Sequence, residues 1–465
     1  MKRIMAVMLV LGITLSLAGC GGQPGITAPP AGPASGAQQQ EQPLPDWLTI
    51  GELAEPVQLV SADEGGVNVT ATGIRYEDPY LVVDLEMENT TGASALLGSV
   101  EYYGGQYLYS DPYNCAINGQ ALPCDVWGDA EAGQTITAAA RFSLSDLRRS
   151  GITEVADIQL AFTIDTDGTV AMYHHLPIPT SLADAHDRST DGLQAALDSG
   201  AFEAEGYTLV FDSAQGPEPE LARRIVGFTG ADGSALVGIE FCAPSDIEGA
   251  NTYAVDRLFI NNVQLSFLYN TIHLDAGQSG VLFFEVNEFV DGASLVGELA
   301  RMDALVTLYT PYTDTEYLIL ESTETAGDLS VLGPADVGRE MFNAGGVQLF
   351  LRDFRAEEDS LYLDVLAYST DTSLDALFLE GEGATVNGAP FAETEDVWVP
   401  TDFAQGDLTA RRYCYMEVEL DAELLAAAGV GSPSEVTEIT MPVSVLTHDM
   451  NGGQDIGAVT FQLGQ

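Results

Sequence analysis

The stretch that decides the fold occurs twice, as GGVNVTATGIRYEDPYLVVDLEMEN at residues 65–89 and as GGVQLFLRDFRAEEDSLYLDVLAYS at residues 345–369. In each copy a Gly-Gly pair opens a run of alternating apolar residues. An acidic turn follows, and a second alternating run closes the stretch. Alternation with a period of two, interrupted by short polar turns, indicates half-buried antiparallel strands. The chain is therefore predicted to be built from repeated β units.

Shorter motifs recur in the same order and mark three repeats. The hairpin signal Asn118-Gly119 returns as Asn261-Asn262 and Asn387-Gly388, and Asn-Gly is favoured in tight hairpins because both turn positions need positive φ. Glu131-Ala132-Gly133-Gln134 returns as Asp275-Ala276-Gly277-Gln278. Each repeat holds about seven or eight short strands, a pattern typical of immunoglobulin-like sandwiches. We predict an all-β chain of three tandem immunoglobulin-like antiparallel β-sandwiches after a lipoprotein signal and a flexible tether.

The domain boundaries follow from the repeats and from changes in composition. A short helix is expected between the first two repeats, because Leu193, Ala196 and Leu197 share one face and Gly200 ends the pattern. The predicted parts are a signal peptide at 1–19, a lipidated Cys and disordered tether at 20–45, sandwich 1 at 46–183, a helical linker at 184–206, a divergent sandwich 2 at 207–325, a linker at 326–336 and sandwich 3 at 337–465.

The N-terminus predicts an exported and anchored protein. Lys2 and Arg3 precede an apolar run that is too short to span a bilayer and ends at Leu17-Ala18-Gly19-Cys20. That tetrad resembles the bacterial lipoprotein signal, and the resemblance implies cleavage before Cys20 and its acylation. The alternative is an ordinary signal peptide, or a stray membrane helix, with a chance cysteine. The Gly-, Pro-, Ala-, Ser- and Gln-rich segment that follows is expected to be a flexible tether on the extracytoplasmic side of the cell membrane.

The anchor and the order of elements together are similar to lipoproteins of Gram-positive bacteria that carry Ig-like repeat domains of uncharacterised function. The resemblance covers the anchor and all three repeats, but the shared motifs, the Asn-Gly hairpin and the acidic-Ala-Gly-Gln turn, are structural. It therefore implies a fold and a cell-surface location. It supplies no catalytic residue.

The large negative charge of the chain limits the kinds of partner that it can bind. The chain has 16 basic and 70 acidic residues, and Lys2 is its only lysine. Such a field repels phosphate backbones and anionic lipid surfaces, so nucleic-acid binding is not expected. It favours solubility, either as adaptation to a salty exterior or for contact with a cationic partner.

Metal and cofactor motifs are weak. Asp165-Thr166-Asp167-Gly168 and the segment 449–455 resemble calcium ligands, but each lacks the bidentate Glu that closes a twelve-residue calcium loop. Plain turns are the favoured reading, with weak calcium binding as the alternative. His174 and His175 are adjacent, so on a regular strand they point to opposite faces and are expected to be structural. No metal or cofactor is predicted.

The cysteines suggest one disulfide. Cys115 and Cys124 flank the first hairpin of an exported chain, but Cys124 lies one residue pair beyond the partner of Cys115. A bulge at Pro123 would be needed to bring the two to bonding distance. Cys242 and Cys414 are expected to be buried free thiols.

Aromatic residues supply the only candidate binding residues. Five tyrosines crowd a Gly-rich segment of the first repeat, and their flat rings and hydroxyls suit a glycan or a protein partner at the cell surface. The alternative is an ordinary edge strand. The tripeptide Asp-Val-Trp, found at 125–127 and 396–398, is expected to place Trp127 and Trp398 in the core. The candidate contact residues are Tyr102, Tyr103, Tyr107, Tyr109 and Tyr113.

The sequence thus favours a non-enzymatic protein, anchored by lipid, that presents Ig-like modules for binding or scaffolding. No catalytic residue is predicted, because a G-x-S-x-G elbow in a strand, an H-E-x-x-H pair and a phosphate-binding loop are all missing from the sequence. The alternatives are a solute- or glycan-binding component of an uptake system and an extracellular enzyme.

Overall fold

Antiparallel strands dominate the structure, which confirms the prediction of an all-β chain of sandwich domains. The computed structural model describes residues 43–98, 115–213, 224–231, 233–247, 250–265, 270–286, 299, 301–309, 316–321, 336–392, 398–448 and 453–463. Residues Leu44–Gln465 form one compact unit. The domain boundaries drawn from the sequence stay a prediction.

The first repeat consists of two facing layers. In order, its strands are β1 Thr49–Ile50, β2 Val57–Val60, β3 Val67–Glu77, β4 Tyr80–Asn89, β5 Ala95–Gly98, β6 Cys115–Ile117, β7 Gln120–Leu122, β8 Asp125–Ala130, β9 Thr135–Ser143, β10 Glu154–Val155, β11 Asp157–Thr166 and β12 Thr169–Pro179. One layer has the order β2-β3-β4-β9, and the other places β12, β5 and β6 beside β11. Strand β8 joins the two layers by pairing with both β5 and β9.

The repeated stretch at residues 65–89 forms the hairpin β3-β4, in which Val67 pairs with Asn89 and Glu77 with Tyr80. Alternate residues of β3, namely Val67, Val69 and Ala71, are fully or almost fully buried against the second layer. This is the arrangement that period-two alternation requires.

Helices connect the first repeat to the second. They are α1 Leu144–Arg149 at the end of β9, a 3-10 turn Arg188–Thr190, α2 Leu193–Asp198 and α3 Ala201–Ala204. Leu193, Ala196 and Phe202 are buried against the outer face of the second repeat's first sheet, together with Phe228. The linker helices therefore cover a sheet face that would otherwise be open to water.

The second repeat has the same two layers. Its strands are β13 Tyr207–Asp212, β14 Arg224–Gly230, β15 Ala235–Cys242, β16 Ala250–Ile260, β17 Val263–Gln264, β18 Asn270–Asp275, β19 Ser279–Glu285, β20 Met302–Tyr309 and β21 Glu316–Glu321. The layer β13-β14-β15-β19 corresponds to β2-β3-β4-β9, and the opposite layer places β18, β20 and β17 beside β16, with β21 beyond β20.

The third repeat closes the chain. Its strands are β22 Arg339–Ala344, β23 Val347–Glu357, β24 Ser360–Ser369, β25 Leu374–Glu380, β26 Thr385–Val386, β27 Ala389–Pro390, β28 Asp402–Asp407, β29 Tyr413–Leu420, β30 Glu438–Thr447 and β31 Gln454–Gln462, with α4 Ala422–Ala427 and the 3-10 turn Pro433–Glu435 after β29. Another 3-10 turn, Ala62–Glu64, precedes β3 in the first repeat.

The two copies of the repeated stretch, residues 65–89 and 345–369, share a backbone irregularity as well as a sequence pattern. A bulge interrupts the pairing of β3 with β4 between Ala71 and Gly73, and one interrupts β23 with β24 between Leu351 and Asp353. Counted from the Gly-Gly pair, these are the same positions. Bulges increase the local twist, so the two sheets bend at the same point.

Candidate functional site

The three repeats are joined by strand pairs rather than by linkers alone. At the first joint, β7 of repeat 1 runs parallel to the start of β19 in repeat 2, with Gln120 opposite Ser279. At the second joint, β17 of repeat 2 runs parallel to the start of β29 in repeat 3, with Val263 opposite Tyr413. In both cases a hairpin strand from one repeat extends the sheet of the next.

The same backbone hydrogen bond opens both joints. The Ser279 amide donates to the carbonyl of Gly119 at 3.0 Å, and the Tyr413 amide donates to the carbonyl of Asn262 at 2.8 Å. Gly119 and Asn262 are the second residues of equivalent hairpin turns, and both have positive φ. The hairpin turn that recurs in the sequence therefore also positions the contact to the following repeat.

A polar side-chain pair crosses each joint at equivalent positions. At the first joint the Gln278 amide donates to the side-chain carbonyl of Gln159 at 3.1 Å. At the second joint Arg412 donates to the Asp303 carboxylate at 3.0 Å. Gln278 and Arg412 both immediately precede the accepting strand. Gln159 and Asp303 are each paired with the residue two positions before the first Asn of the hairpin turn, Ala116 and Phe259. A neutral pair in one joint thus corresponds to an ion pair in the other.

The ion pair of the second joint is buried. Asp303 has no solvent-exposed surface, and Arg412 and Arg301 are each 3 % exposed. Arg301 donates to the same carboxylate oxygen at 2.8 Å, and the Arg412 guanidinium lies 5.4 Å from the centre of the Phe259 ring. Removing one member of such a cluster leaves uncompensated charge in a low-dielectric environment.

The corresponding edge in the third repeat carries a proline. Strand β27 occupies the place of β7 and β17, and Pro390 stands where Ala121 pairs with Gly280 and where Gln264 pairs with Cys414. Proline has no backbone N–H to donate to a neighbouring strand. The residue at this edge therefore disfavours addition of a further strand.

Two aromatic side chains, Phe391 and Trp398, line a cleft beside this end of the third repeat. Trp398 is 74 % exposed, and Phe391 packs against Phe403 with ring centres 5.4 Å apart. The cleft has a volume of about 580 Å³. Residues lining it include Glu382, Pro390, Phe391, Trp398, Val399 and Pro400.

The wall of the cleft depends on a glycine. The Gly381 amide donates to the Thr401 carbonyl at 2.7 Å, which ties the loop before β26 to the segment after Trp398. A Cβ atom at Gly381 would lie 1.9 Å from the Pro400 carbonyl oxygen, so a larger residue could not be accommodated without movement of the backbone. The two sides of the cleft are thus held together by their own main chains.

The structure corrects the prediction that both tryptophans lie in the core. Trp127 is 56 % exposed, because Val126, Gly128 and Ala130 occupy the inward positions of β8. Trp398 is not its counterpart. Trp127 pairs with Gly98, and the equivalent place in the third repeat belongs to Gln405, which pairs with Phe378. The Asp-Val-Trp of the third repeat precedes β28 instead.

The structure also corrects the prediction that His174 and His175 point to opposite faces. A bulge between Leu160 and Phe162 interrupts the pairing of β11 with β12, and His175 has a φ of 55°. Both histidines line a cleft of about 270 Å³ at the first joint, together with His273 and Asp275. No set of three or more His, Cys, Asp or Glu side chains in the described part of the chain is placed to hold a metal ion.

The remaining predicted residues have varied outcomes. Cys20, the five tyrosines and residues 449–452 of the second calcium-like turn lie outside the described residues. At the first such turn, the Gly168 amide donates to the Asp165 carboxylate at 2.9 Å, as in an ordinary polar turn. Cys115 and Cys124 are both buried free thiols, and each lies within reach of the other.

The disulfide between those cysteines stays a prediction. Burial is the largest cause, and contact with Cys115 the second, of a pKa of the Cys124 thiol well above its ordinary value. The raised pKa favours the protonated thiol. Cys124 lies between β7 and β8 and is not paired in the β6-β7 hairpin. The offset of one residue pair, which a regular hairpin would place between Cys115 and Cys124, therefore does not apply. Cys414 is a buried free thiol as expected, whereas Cys242 is only half-buried.

A buried histidine fixes the linker at the first joint. The His186 side chain is 4 % exposed, and its ring nitrogens lie 2.6 Å from Asp191 and 3.1 Å from Glu154. Burial opposes protonation, but hydrogen bonds to the two carboxylates outweigh it and raise the pKa of His186. The pKa of Asp191 is also raised, in this case because of burial, although the hydrogen bond to His186 acts in the opposite direction.

These shifts predict a pH dependence of stability. A raised pKa means that the folded protein binds the proton more tightly, so the His186 contribution is complete below about pH 6.5 and is lost as the pH rises through the raised value. Unfolding by urea between pH 5 and pH 9 should show the advantage of wild type over His186→Gln shrinking with rising pH. His448→Gln, which alters a largely exposed histidine, serves as the control. An advantage that grew with pH would contradict the assignment.

Comparison with known proteins gives no family. Neither a family model nor a curated protein matches the chain. Among solved structures, the exo-chitosanase CsxA of Amycolatopsis orientalis is similar at a TM-score of 0.16 and 7 % identity, over 88 % of this chain and 78 % of that one. A complex of a variant of that enzyme with PNP-beta-D-glucosamine gives 0.17 at the same identity and coverage. Scores this low do not establish a shared fold.

Proposed function

We propose that this chain is a non-catalytic, lipid-anchored protein of the cell envelope that holds an aromatic binding surface on three firmly joined sandwiches. The observation that carries the proposal is the pairing of β7 with β19 and of β17 with β29. A repeat protein that needs only flexible spacing can use a polar linker. Strand pairs backed by polar side-chain contacts, partly buried at the first joint and buried at the second, instead fix the orientation of each repeat to the next.

The location of the aromatic residues supports a binding role. The tyrosine-rich segment lies between β5 and β6 of the first repeat, and its counterpart between β25 and β26 of the third repeat is the loop that borders the Trp398 cleft. The aromatic residues of the third-repeat cleft, Phe391 and Trp398, lie on the opposite side of it, between β27 and β28. In the second repeat, β16 runs continuously through this region.

The anchor explains the leader and tether. No helix within the described residues has the length and apolar character needed to cross a bilayer. Attachment through an acylated Cys20 would leave the sandwiches outside the membrane, and covalent lipid holds a protein at a surface without a spanning segment.

Replacing Cys20 with alanine should move the protein from the membrane fraction to the soluble fraction, because the thiol that carries the lipid is gone. The measurement is fractionation of cells expressing the full chain, followed by quantification in the pellet and the supernatant. Cys242→Ala is the matched control and should stay in the pellet. Retention of Cys20→Ala in the pellet would refute the anchor.

A further inference from the structure

The cleft beside Trp398 combines an exposed aromatic face with one carboxylate. Trp398 is the most exposed large apolar side chain in the described part of the chain, and Glu382 is the only charged residue among the described residues that line the cleft. Phe391 adds a second ring whose position is fixed by Phe403. The described lining offers no Arg, Lys or His that would attract an anion.

We infer that this cleft binds an alkylammonium group, which deepens the binding role proposed above and rests on it. A cation over the face of a tryptophan is attracted by the negative potential of the ring, and tryptophan is the best of the aromatic residues for this contact. The Glu382 carboxylate supplies the opposite charge.

The charge of the whole chain points in the same direction. A net charge of −54 concentrates cations near the surface and repels anions. The cleft is also large enough for more than a solvated ion, since its volume of about 580 Å³ lies in the range of sites for small organic ligands. A neutral ligand would gain nothing from this field.

The rigidity of the cleft favours recognition without rearrangement. Main-chain contact between Gly381 and Thr401 fixes one wall, and Pro390 and Pro400 restrict the backbone on both sides. A pre-formed site loses less conformational entropy on binding, which favours the affinity of a small ligand.

The inference is tested by titration calorimetry on the full chain. The two ligands are choline and its uncharged analogue 3,3-dimethylbutan-1-ol. We expect saturable choline binding and at least about tenfold weaker binding of the analogue, because the contact depends on charge. Trp398→Ala should abolish choline binding. Glu382→Gln, which keeps the shape of the side chain, should weaken it several-fold.

Trp127→Ala is the control variant, because it removes the other exposed tryptophan and lies in a different repeat. It should bind choline as wild type does. A parallel titration with trilysine and with its acetylated form distinguishes a peptide amine from a choline-type headgroup as the source of the cation.

Equal binding of choline and its neutral analogue would overturn the inference, as would choline binding that survives Trp398→Ala. If a neutral oligosaccharide bound in a Trp398-dependent way and choline did not, the alkylammonium assignment would fail while the proposed binding function stood. If no Trp398-dependent ligand was found but Cys20→Ala still released the protein, the anchor would stand without this binding site.

Discussion

Replacing Asp303 with alanine should lower the free energy of unfolding of the joined second and third repeats by about 3 to 5 kcal/mol. The carboxylate has no exposed surface and lies between two arginines that are themselves almost fully buried. Its removal takes a buried carboxylate away from two buried guanidinium groups, and breaking a buried ion pair by removing one partner costs more than the net value of the pair.

Asp84→Ala is the matched control for this experiment. Asp84 also pairs with an arginine, Arg75 at 3.0 Å, but the pair is partly exposed on the outer face of the first repeat. Surface pairs of this kind contribute about 1 kcal/mol or less. Two measurements, urea unfolding and hydrogen exchange of the amides in β20 and β29, should show a large loss of stability for Asp303→Ala and a small one for Asp84→Ala. Similar small losses in both would mean that the second joint does not depend on the buried cluster.

The sequence predicted the sheets well because the signal for a half-buried strand is local. Alternation in residues 65–89 and 345–369 specifies which residues face inward, and the structure places Val69 and Leu349 in the core accordingly. The hairpin turns were equally accessible, since Asn118 and Asn387 need positive φ and have it. These features depend on neighbours within a few residues.

The joints could not be predicted in the same way. Gln278 and Arg412 precede their strands in turns that read as ordinary polar connections, and their partners are more than 100 positions away in sequence. Only the superposition of equivalent positions identifies them as a recurring contact. A signal was available in retrospect, because the repeated hairpin turn is the same motif that begins each joint.

The tryptophan prediction failed for a physical reason. The shared tripeptide does not mark a shared position, because the segment from Phe391 to β28 is longer in the third repeat than its counterpart between Leu122 and β8 in the first. This insertion moves Trp398 out of the strand and to the border of the cleft. Identity of three residues does not fix register when the length of the preceding loop changes.

Phe202→Ala is expected to cost about 3 to 5 kcal/mol of stability, as truncation of a large aromatic side chain in a packed interior does. The Phe202 ring is 1 % exposed and stacks on Phe228 with centres 4.1 Å apart. It also contacts Phe283, so its loss leaves a cavity between α3 and the sheet. Urea unfolding should show the loss, and limited proteolysis within residues 184–206 should become faster.

Phe354→Ala tests whether that effect comes from burial rather than from loss of a phenyl ring. Phe354 is 42 % exposed on β23, and its truncation should change stability by about 0.5 kcal/mol or less. If Phe202→Ala behaved like this control, the linker helices would be attached loosely and the first two sandwiches would be separable, as the polar composition of the linker suggests. A large loss confined to Phe202→Ala would instead mean that the linker is part of the core of the second repeat, because the sheet face it covers cannot remain exposed to water without a cost of the same size.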